Sequence, residues 1–129
     1  KNNISIKFNK TDNFKIIGDR DKLIEIFTNL IDNSIKYSDK NKEITITAKK
    51  DGEFNTVSVA DQGIGIPKES IHRITERFFT VDPSKSRSVG GTGLGLAIVK
   101  HLVSQHRAEM DINSVENEGT TIDIKFNSL

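Results

Sequence analysis

Four residues of one predicted helix are of types that can bind charged ligands. The stretch RDKLIEIFTNLIDNSIKYS, residues 20–38, contains Asn29, Asn33, Lys36 and Tyr37, which spread over only about 100° of a helix. Asparagine is a poor helix former, so two of them one turn apart carry a cost in stability. Amide oxygens suit a hard cation such as magnesium, a lysine can balance phosphate charge, and a tyrosine ring can stack on a base. A solvated polar face is the alternative interpretation.

A second candidate is the heptapeptide DQGIGIP at residues 61–67, which follows the apolar strand pattern NTVSVA. Asp61 ends that strand, where its carboxylate can accept a hydrogen bond from an exocyclic amine. Gly63 and Gly65 permit positive φ or a close backbone approach to a ligand, and Pro67 fixes the exit of the loop. An ordinary Asp-x-Gly turn would have the same sequence, so the motif alone leaves both interpretations open.

The third candidate is GGTGLGLAIVK at residues 90–100, where glycines lead directly into an apolar helix. It lacks the lysine of GxxxxGK[ST] at the required place, and Gly91, Gly93 and Gly95 give GxGxG instead of GxGxxG. Free N–H groups at a helix start, with no Cβ in the way, can nevertheless bind an anion, and Thr92 adds a hydroxyl. A flexible hinge would explain the glycines, but not the helix that starts among them.

The elements that must position these stretches follow from periodicity and turn signals. Asp19 is the predicted N-cap of the helix at 20–38, whose polar arc lies opposite an apolar stripe. That apolar stripe is predicted to contain Leu23, Phe27, Leu30 and Ile31, flanked by Ile26 and Ile35. The other predicted elements are strands at 4–8, 14–18, 43–50, 55–61, 108–115 and 120–126, helices at 68–79 and 92–107, and a long loop at 80–91. This order predicts helices packed on one face of a mixed sheet.

Composition narrows the class of protein. The chain has 129 residues, enough for one domain with a core that needs no covalent staples. It has no cysteine, which excludes a disulfide framework and a thiolate zinc site. With 19 basic and 18 acidic side chains, its charge gives no case for nucleic-acid binding. No apolar run approaches the roughly 20 residues that span a bilayer. The abrupt polar start at Lys1 leads us to expect an excised domain.

Taken in order, these stretches resemble a known family. NLIDNSIKY, DQGIGIP, ERFF and GGTGLGLAIVK look like the N, G1, F and G2 boxes of the catalytic and ATP-binding domain of sensor histidine kinases. The same superfamily includes gyrase-type topoisomerases, heat-shock chaperones and mismatch-repair ATPases. The resemblance implies a Bergerat-type α/β (α+β) two-layer sandwich, in which a mixed sheet of about five or more strands packs on three helices. It also implies a long ATP lid at about 66–91 and one domain over residues 1–129.

The resemblance assigns roles to individual residues. Asn33 would coordinate a magnesium ion that bridges the ATP phosphates, with Asn29 in the same polar cluster. Lys36 would approach the phosphates, Tyr37 would flank the adenine, and Asp61 would accept from the adenine amino group. Further nucleotide contacts are implied for Gly63, Gly65, Ile66, Phe79, Gly91, Thr92, Gly93, Leu94 and Gly95.

The lid departs from the family at one position. Many relatives have an arginine directly after the paired aromatic residues, where this chain has Thr80. Either Arg87 or Lys85 then replaces that arginine, or the γ-phosphate is handled less well, and Arg77 is the better-matched basic residue. The residues expected to act in catalysis are Asn29, Lys36, Arg77 and Arg87.

The resemblance also separates phosphotransfer from hydrolysis. Superfamily members that hydrolyse ATP carry a glutamate base four residues before the magnesium asparagine, where this chain has Asn29, an amide that cannot take a proton. Asp32 points roughly 100° away from Asn33 on the helix and does not replace that base. Transfer to histidine needs no base, because neutral imidazole has a lone pair at pH 7. We therefore expect a protein-histidine kinase domain that uses ATP and Mg²⁺.

The phosphate acceptor is expected outside this chain. His72, His101 and His106 are predicted to be ordinary helix-surface residues, and no HELRTP-like segment is present. The acceptor histidine would lie on a dimerisation domain upstream of Lys1. The expected partners are that domain and a cognate response regulator, and nucleic acid is not among them. Alone, the domain would bind Mg-ATP and do little chemistry.

Two alternative functions remain open on the sequence. A serine-kinase anti-sigma factor of the same superfamily usually keeps the glutamate that this chain lacks, and Thr80 is the one feature that favours a degenerate nucleotide-sensing module. The stretch at residues 74–101 is most similar to sensor kinases of the phosphate-regulon type. That type would place the domain in the cytoplasm, as part of a homodimer in the bacterial inner membrane.

Overall fold

In the computed structural model, the described residues form a mixed five-stranded sheet with two α-helices packed on one face. The structure describes residues 5–8, 14–38, 43–77, 79 and 95–128. The strands are β1 (Ser5–Phe8), β2 (Glu43–Asp51), β3 (Phe54–Ala60), β4 (Glu109–Val115) and β5 (Gly119–Asn127). The α-helices are α1 (Arg20–Lys36) and α2 (Gly95–Gln105), and a 3₁₀ helix covers Lys68–Arg73. The sheet order is β1-β2-β3-β5-β4, with β1 parallel to β2 and every other pair antiparallel. The predicted fold class is confirmed.

The core lies between the helices and one face of the sheet. Strand register aligns Ile46 with Val59, Val59 with Ile122, and Ile122 with Ile112, so an apolar row crosses four strands. Because side chains alternate along a strand, the neighbouring positions face away from this row. The helices contribute side chains to the same cluster, and the ring of Phe27 packs 6.4 Å from that of Phe126. Burial of this row against the helices fixes both the register and the position of α1.

Helix α1 begins where the sequence predicts but is rotated relative to the predicted apolar stripe. Asp19 is the N-cap, and its Oδ1 accepts from the N–H of Lys22 at 3.1 Å. The residues that α1 buries are Ile26, Leu30 and Ser34, whereas Ile35 is 38% exposed. The reason is that α2 packs along α1 as well as the sheet, so the buried sector includes the side on which Ile26 lies.

Two predicted elements differ in the structure. Residues 14–17 form no strand, because this segment enters no ladder of the sheet, and its Lys15 carbonyl oxygen accepts from the side-chain amide of Asn55 instead of from a strand backbone. The helix predicted at 68–79 is a 3₁₀ helix over Lys68–Arg73, followed by turns. The N-cap residue of this 3₁₀ helix is Pro67, and no side chain caps the first N–H groups of the helix. Tight i→i+3 bonding is the usual form for so short a helix.

The described helices give no indication of a membrane span. Neither α1 nor α2, nor the 3₁₀ helix between them, is long and apolar enough to cross a bilayer.

Candidate functional site

The polar residues of α1 form a half-buried face. Asn29, Asn33, Lys36 and Tyr37 are all intermediate in exposure. The exposed residues of α1 are others, namely Arg20, Asp21, Ile24, Glu25, Thr28, Asp32 and Ile35. A fully solvated polar face would show higher exposure, so this distribution favours the ligand-binding interpretation over the solvated one.

Asn29 faces the start of α2. Its amide nitrogen donates to the carbonyl oxygen of Glu25 at 2.9 Å, so the amide oxygen is on the side of the group away from that carbonyl. A Cβ built on Gly95 would lie 3.7 Å from that oxygen. The first described residue of α2 therefore lies beside the amide-rich face of α1. Asn33, one turn further on, makes no side-chain hydrogen bond with the described residues.

Lys36 is held by an ion pair within α1. Its Nζ lies 3.1 Å from Oδ2 of Asp32, one turn earlier, and the two side chains are 30% and 55% exposed. Such exposed pairs contribute at most about 1 kcal/mol. The pair with Asp32 therefore adds little to the cost of moving Lys36 toward a ligand with several negative charges.

Tyr37 joins the end of α1 to the loop at 61–66. The Tyr37 N–H donates to the carbonyl oxygen of Asn33 at 3.2 Å, and the Tyr37 carbonyl accepts from the N–H of Ile64 at 3.2 Å. A Cβ at Gly63 would overlap that same carbonyl oxygen. The close approach expected of Gly63 is thus made to the protein's own backbone, and it brings Lys36 and Tyr37 next to the loop.

Asp61 has one carboxylate oxygen fixed by backbone donors. Its Oδ1 accepts from the N–H of Gly63 at 2.9 Å and from the N–H of Thr120 at 3.1 Å. The Asp61 N–H in turn donates to the carbonyl oxygen of Thr120 at 2.8 Å. No described residue donates to Oδ2. The carboxylate is therefore oriented, with one oxygen available to accept a hydrogen bond from a ligand.

The β4–β5 hairpin supports the loop from the other side. The N–H of Asn117 donates to the carbonyl oxygen of Ile64 at 2.7 Å. Gly65 has φ +70°, and a Cβ there would overlap the carbonyl oxygen of Val115. A Cβ at Gly119 would similarly overlap the carbonyl oxygen of Asp61. From the sequence, 116–119 is only a turn, so this supporting role was missed. Gly119 was the one available signal.

The described part of the predicted lid contains a cation–π pair. The guanidinium of Arg73 lies 4.6 Å from the centroid of the Phe79 ring, and it also pairs with Glu76 at 3.3 Å. Arg77 is exposed, and within the described ranges no contact links it to the polar face of α1. The remaining predicted residues of the lid and glycine run lie outside the described residues; these are Phe78, Thr80, Lys85, Arg87, Gly91, Thr92, Gly93 and Leu94.

The three histidines do not share one environment. His72 and His101 are exposed, in keeping with the predicted surface positions. His106 is half-buried at the end of α2, where Nε2 lies 3.1 Å from the Asp19 nitrogen and Nδ1 lies 2.8 Å from the carbonyl oxygen of Leu102. His106 therefore connects α2 to the N-cap of α1, which the sequence did not predict.

The family profile described as histidine kinase-, DNA gyrase B- and HSP90-like ATPase matches residues 18–128. This match covers α1, the loop at 61–66, α2 and the β4–β5 hairpin. The chain belongs to that ATPase family.

Named relatives of this ATPase family agree with the match. The sensor-like histidine kinase SenX3 of Mycolicibacterium smegmatis is 38% identical over 123 residues, which are 95% of this chain and 32% of SenX3. The phosphate regulon sensor protein PhoR of Pseudomonas aeruginosa is 43% identical over 109 residues, 84% of this chain and 25% of PhoR. The chain therefore spans about a third or less of these curated relatives.

A solved structure supports the same fold. The mycobacterial sensor histidine kinase MprB superposes with a TM-score of 0.84 at 29% identity, over 98% of this chain and 83% of that chain. The mixed sheet with helices on one face is thus the fold of a histidine kinase catalytic domain.

The side chains present fit the nucleotide that this ATPase family binds. Asp61 keeps an oriented oxygen that suits the amino group of adenine, because a carboxylate accepts and never donates when ionised. Asn29 and Asn33 present amides on a half-buried face, and amide oxygens are ligands for hard cations. Lys36 carries a positive charge on the same face, which suits a phosphate group. The loop at 61–66 and the start of α2 border this face at its two ends.

Proposed function

We propose that this domain binds Mg-ATP between α1, the loop at 61–66 and the start of α2, and transfers the γ-phosphate to a histidine on a separate dimerisation domain. The observation that carries the proposal is the fixed carboxylate of Asp61, whose Oδ1 is taken by two backbone N–H groups while Oδ2 is left for a ligand. The half-buried amides of Asn29 and Asn33 support it.

In this proposal the adenine end of the ligand is bound by the loop and the end of α1. Asp61 accepts from the adenine amino group, which selects adenine over guanine because guanine has a carbonyl oxygen there. The Tyr37 ring flanks the base. The residues that shape the rest of this part of the pocket are Gly63, Gly65, Ile66 and Phe79.

The phosphate end is bound by α1, the start of α2 and the lid. Asn33 holds the magnesium ion with Asn29 beside it, and Lys36 leaves Asp32 to meet the phosphates. When bound, the ion neutralises the charge that spreads over the transferred phosphoryl group. Backbone N–H groups of the helix start are proposed at Gly91, Thr92, Gly93, Leu94 and Gly95, and basic side chains at Arg77 and Arg87.

The residues at the position of a catalytic base favour transfer over hydrolysis. Asn29 has an amide whose nitrogen donates to Glu25, and an amide cannot accept a proton from water. Asp32 is paired with Lys36, and adjacent positions on a helix point about 100° apart, so it is directed away from Asn33. A neutral imidazole attacks through its own lone pair, so the domain contributes positioning and charge stabilisation.

The partners follow from the kinase type. The proposed acceptor is the histidine of the protein's own dimerisation domain, and the phosphate then passes to an aspartate of a response regulator. We propose that the full-length protein is a homodimer anchored in the bacterial inner membrane, with this domain on the cytoplasmic side. The named relatives, a sensor-like histidine kinase and a phosphate regulon sensor protein, support this assignment.

The test is transfer from labelled Mg-ATP to a histidine-bearing dimerisation domain, both supplied separately and tethered to this chain to raise its effective concentration. We expect acid-labile, alkali-stable phosphate on the acceptor. This phosphate should be absent when the acceptor's histidine is replaced, and also when this chain carries Asp61→Asn. ATP binding without transfer, even when tethered, would contradict the proposal and favour a nucleotide-sensing module. Acid-stable, alkali-labile phosphate on a protein serine would favour the serine kinase.

A further inference from the structure

The hydroxyl of Ser114 lies where the β4–β5 hairpin meets the loop at 61–66. Its Oγ is 2.8 Å from the nitrogen of Ile66, 3.0 Å from the carbonyl oxygen of Gly119 and 2.8 Å from Oγ1 of Thr120. Ser114 and Thr120 are also direct cross-strand partners in the ladder of β4 and β5. One side chain of β4 therefore contacts both the exit of the loop and the start of β5.

The direction of each of these hydrogen bonds is fixed by the chemistry of the groups. The Gly119 carbonyl can only accept, so the single hydrogen of Ser114 is donated to it. The Ile66 N–H can only donate, and it uses one lone pair of Oγ. The second lone pair then accepts the hydrogen of Thr120. The Ser114 hydroxyl is fully used, with one bond donated and two accepted.

One of the groups that Ser114 holds, the peptide between Gly119 and Thr120, also orients Asp61. The Thr120 N–H donates to Oδ1 of Asp61, and the Asp61 N–H donates back to the Thr120 carbonyl. Ile66 is at the far end of the loop that Asp61 begins. Ser114 thus fixes the exit of the loop at Ile66. It also fixes the start of β5, which holds the Asp61 carboxylate at the entrance of the loop.

We propose that Ser114 is a positioning residue for adenine recognition, which acts by keeping Oδ2 of Asp61 directed at the base. The inference rests on the proposed function of Asp61 as the acceptor from the adenine amino group. Ser114 touches no reacting atom, and it acts only through the loop and Thr120.

A purely structural role for Ser114 makes a different prediction. A simple hairpin staple would affect stability and would weaken every nucleotide alike. A residue that aims Asp61 affects only ligands with an amino group for Asp61 to bind. ATP and ITP separate these cases, because the base of ITP has an oxo group in place of the amino group.

The experiment compares Ser114→Thr with Ser114→Val, since these two side chains differ only in a hydroxyl against a methyl group. We expect Ser114→Val and Ser114→Ala to weaken ATP binding about tenfold, as for loss of one well-placed hydrogen bond to a charged group. Affinity for ITP should stay within about twofold, and Ser114→Thr should keep most of the affinity for ATP. Without nucleotide, the Ile66 amide should exchange with solvent faster in Ser114→Val than in Ser114→Thr.

A double-mutant cycle with Asp61→Asn completes the test. If Ser114 acts through Asp61, adding Ser114→Ala to Asp61→Asn causes no further loss of ATP affinity. Equal losses for ATP and ITP, or unchanged ATP binding in Ser114→Val while Asp61→Asn binds weakly, would overturn the role of Ser114 alone. Full ATP affinity in Asp61→Asn would overturn the proposed function of Asp61, and this inference with it.

Discussion

The backbone N–H of Thr120 donates to Oδ1 of Asp61 over 3.1 Å, although the two residues are 59 positions apart in the chain. The second donor to that oxygen, the N–H of Gly63, comes from the same loop as Asp61. One local contact and one distant contact together decide the orientation of the carboxylate. The strand that supplies the distant contact belongs to none of the motifs that identify the site.

Replacing Asp61 by asparagine should separate ligand binding from folding. An asparagine oxygen can still accept from Gly63 and Thr120, but an NH₂ group then occupies the place of Oδ2 and faces the adenine amino group. We expect ATP affinity to fall about 10- to 100-fold, the loss of one hydrogen bond to a charged group. The free energy of unfolding should change by less than about 1 kcal/mol. Calorimetric titration measures the ATP affinity, and urea denaturation measures the free energy of unfolding. Asp111→Asn, the same substitution on β4, is the control.

Gly65 and Gly52 form a matched pair for testing how tightly the hairpin holds the loop. Both have positive φ, +70° and +59°, but Gly52 has nothing within 4 Å of an added Cβ, whereas Gly65 faces the Val115 carbonyl. Gly52→Ala should cost only the backbone strain, about 1–2 kcal/mol. Gly65→Ala should cost about 3 kcal/mol or more, because the hairpin must also move. Equal losses in urea denaturation would show that the loop yields freely.

Asp32 should act as a weak competitor for Lys36. In the proposed ATP complex Lys36 leaves this pair for the phosphates, and an exposed pair is worth at most about 1 kcal/mol. Asp32→Asn should therefore raise ATP affinity up to about fivefold, and the gain should shrink at high salt. Lys36→Ala should lower the affinity. Glu76→Gln, which breaks the ion pair with Arg73 instead, is the control. Weaker ATP binding in Asp32→Asn would contradict this prediction.

His106 should be the Nδ1-protonated tautomer in the folded protein. The Asp19 N–H can only donate, so Nε2 must be the bare nitrogen, and Nδ1 then donates to the Leu102 carbonyl. Long-range ¹H–¹⁵N spectra assign the protonated nitrogen directly, with His101, exposed on the same helix, as the reference. A proton on Nε2 of the neutral ring would mean that the contact with Asp19 is absent in solution.

Lys125 should titrate above its ordinary range. Its ammonium group donates to Asp111 over 2.7 Å, and this hydrogen bond, with the carboxylate's charge, raises the pKa of Lys125 above 10.5. Because the folded pKa exceeds the unfolded one, the pair's contribution to stability is fully present below the unfolded pKa. It is lost as the pH rises through the folded pKa. NMR titration of the lysine side chain should show the pKa falling toward 10.5 in Asp111→Asn.

The elements with strong periodicity were predictable because their causes are local. The N-cap at Asp19 and the turn before Gly119 depend on residues within a few positions of each other. The three stretches that carry the candidate site were found in the same way. The segment at 14–18 was predicted as a strand because its local pattern is apolar. Whether such a pattern becomes a strand depends on pairing with another strand, and this segment enters no ladder of the sheet.

The sequence by itself determined which residues could bind a nucleotide, since amides, a carboxylate and glycines at given spacings limit the chemistry. Only the tertiary structure decided how they are held. Packing of α2 against α1 moved the buried sector toward Ile26 and left Ile35 exposed. The hairpin of β4 and β5 supplied Ser114, Gly119 and Thr120, which orient Asp61. Contacts between residues far apart in the chain leave no local sequence pattern. The role of the Ser114 hydroxyl is visible only once the fold places it beside the Ile66 N–H.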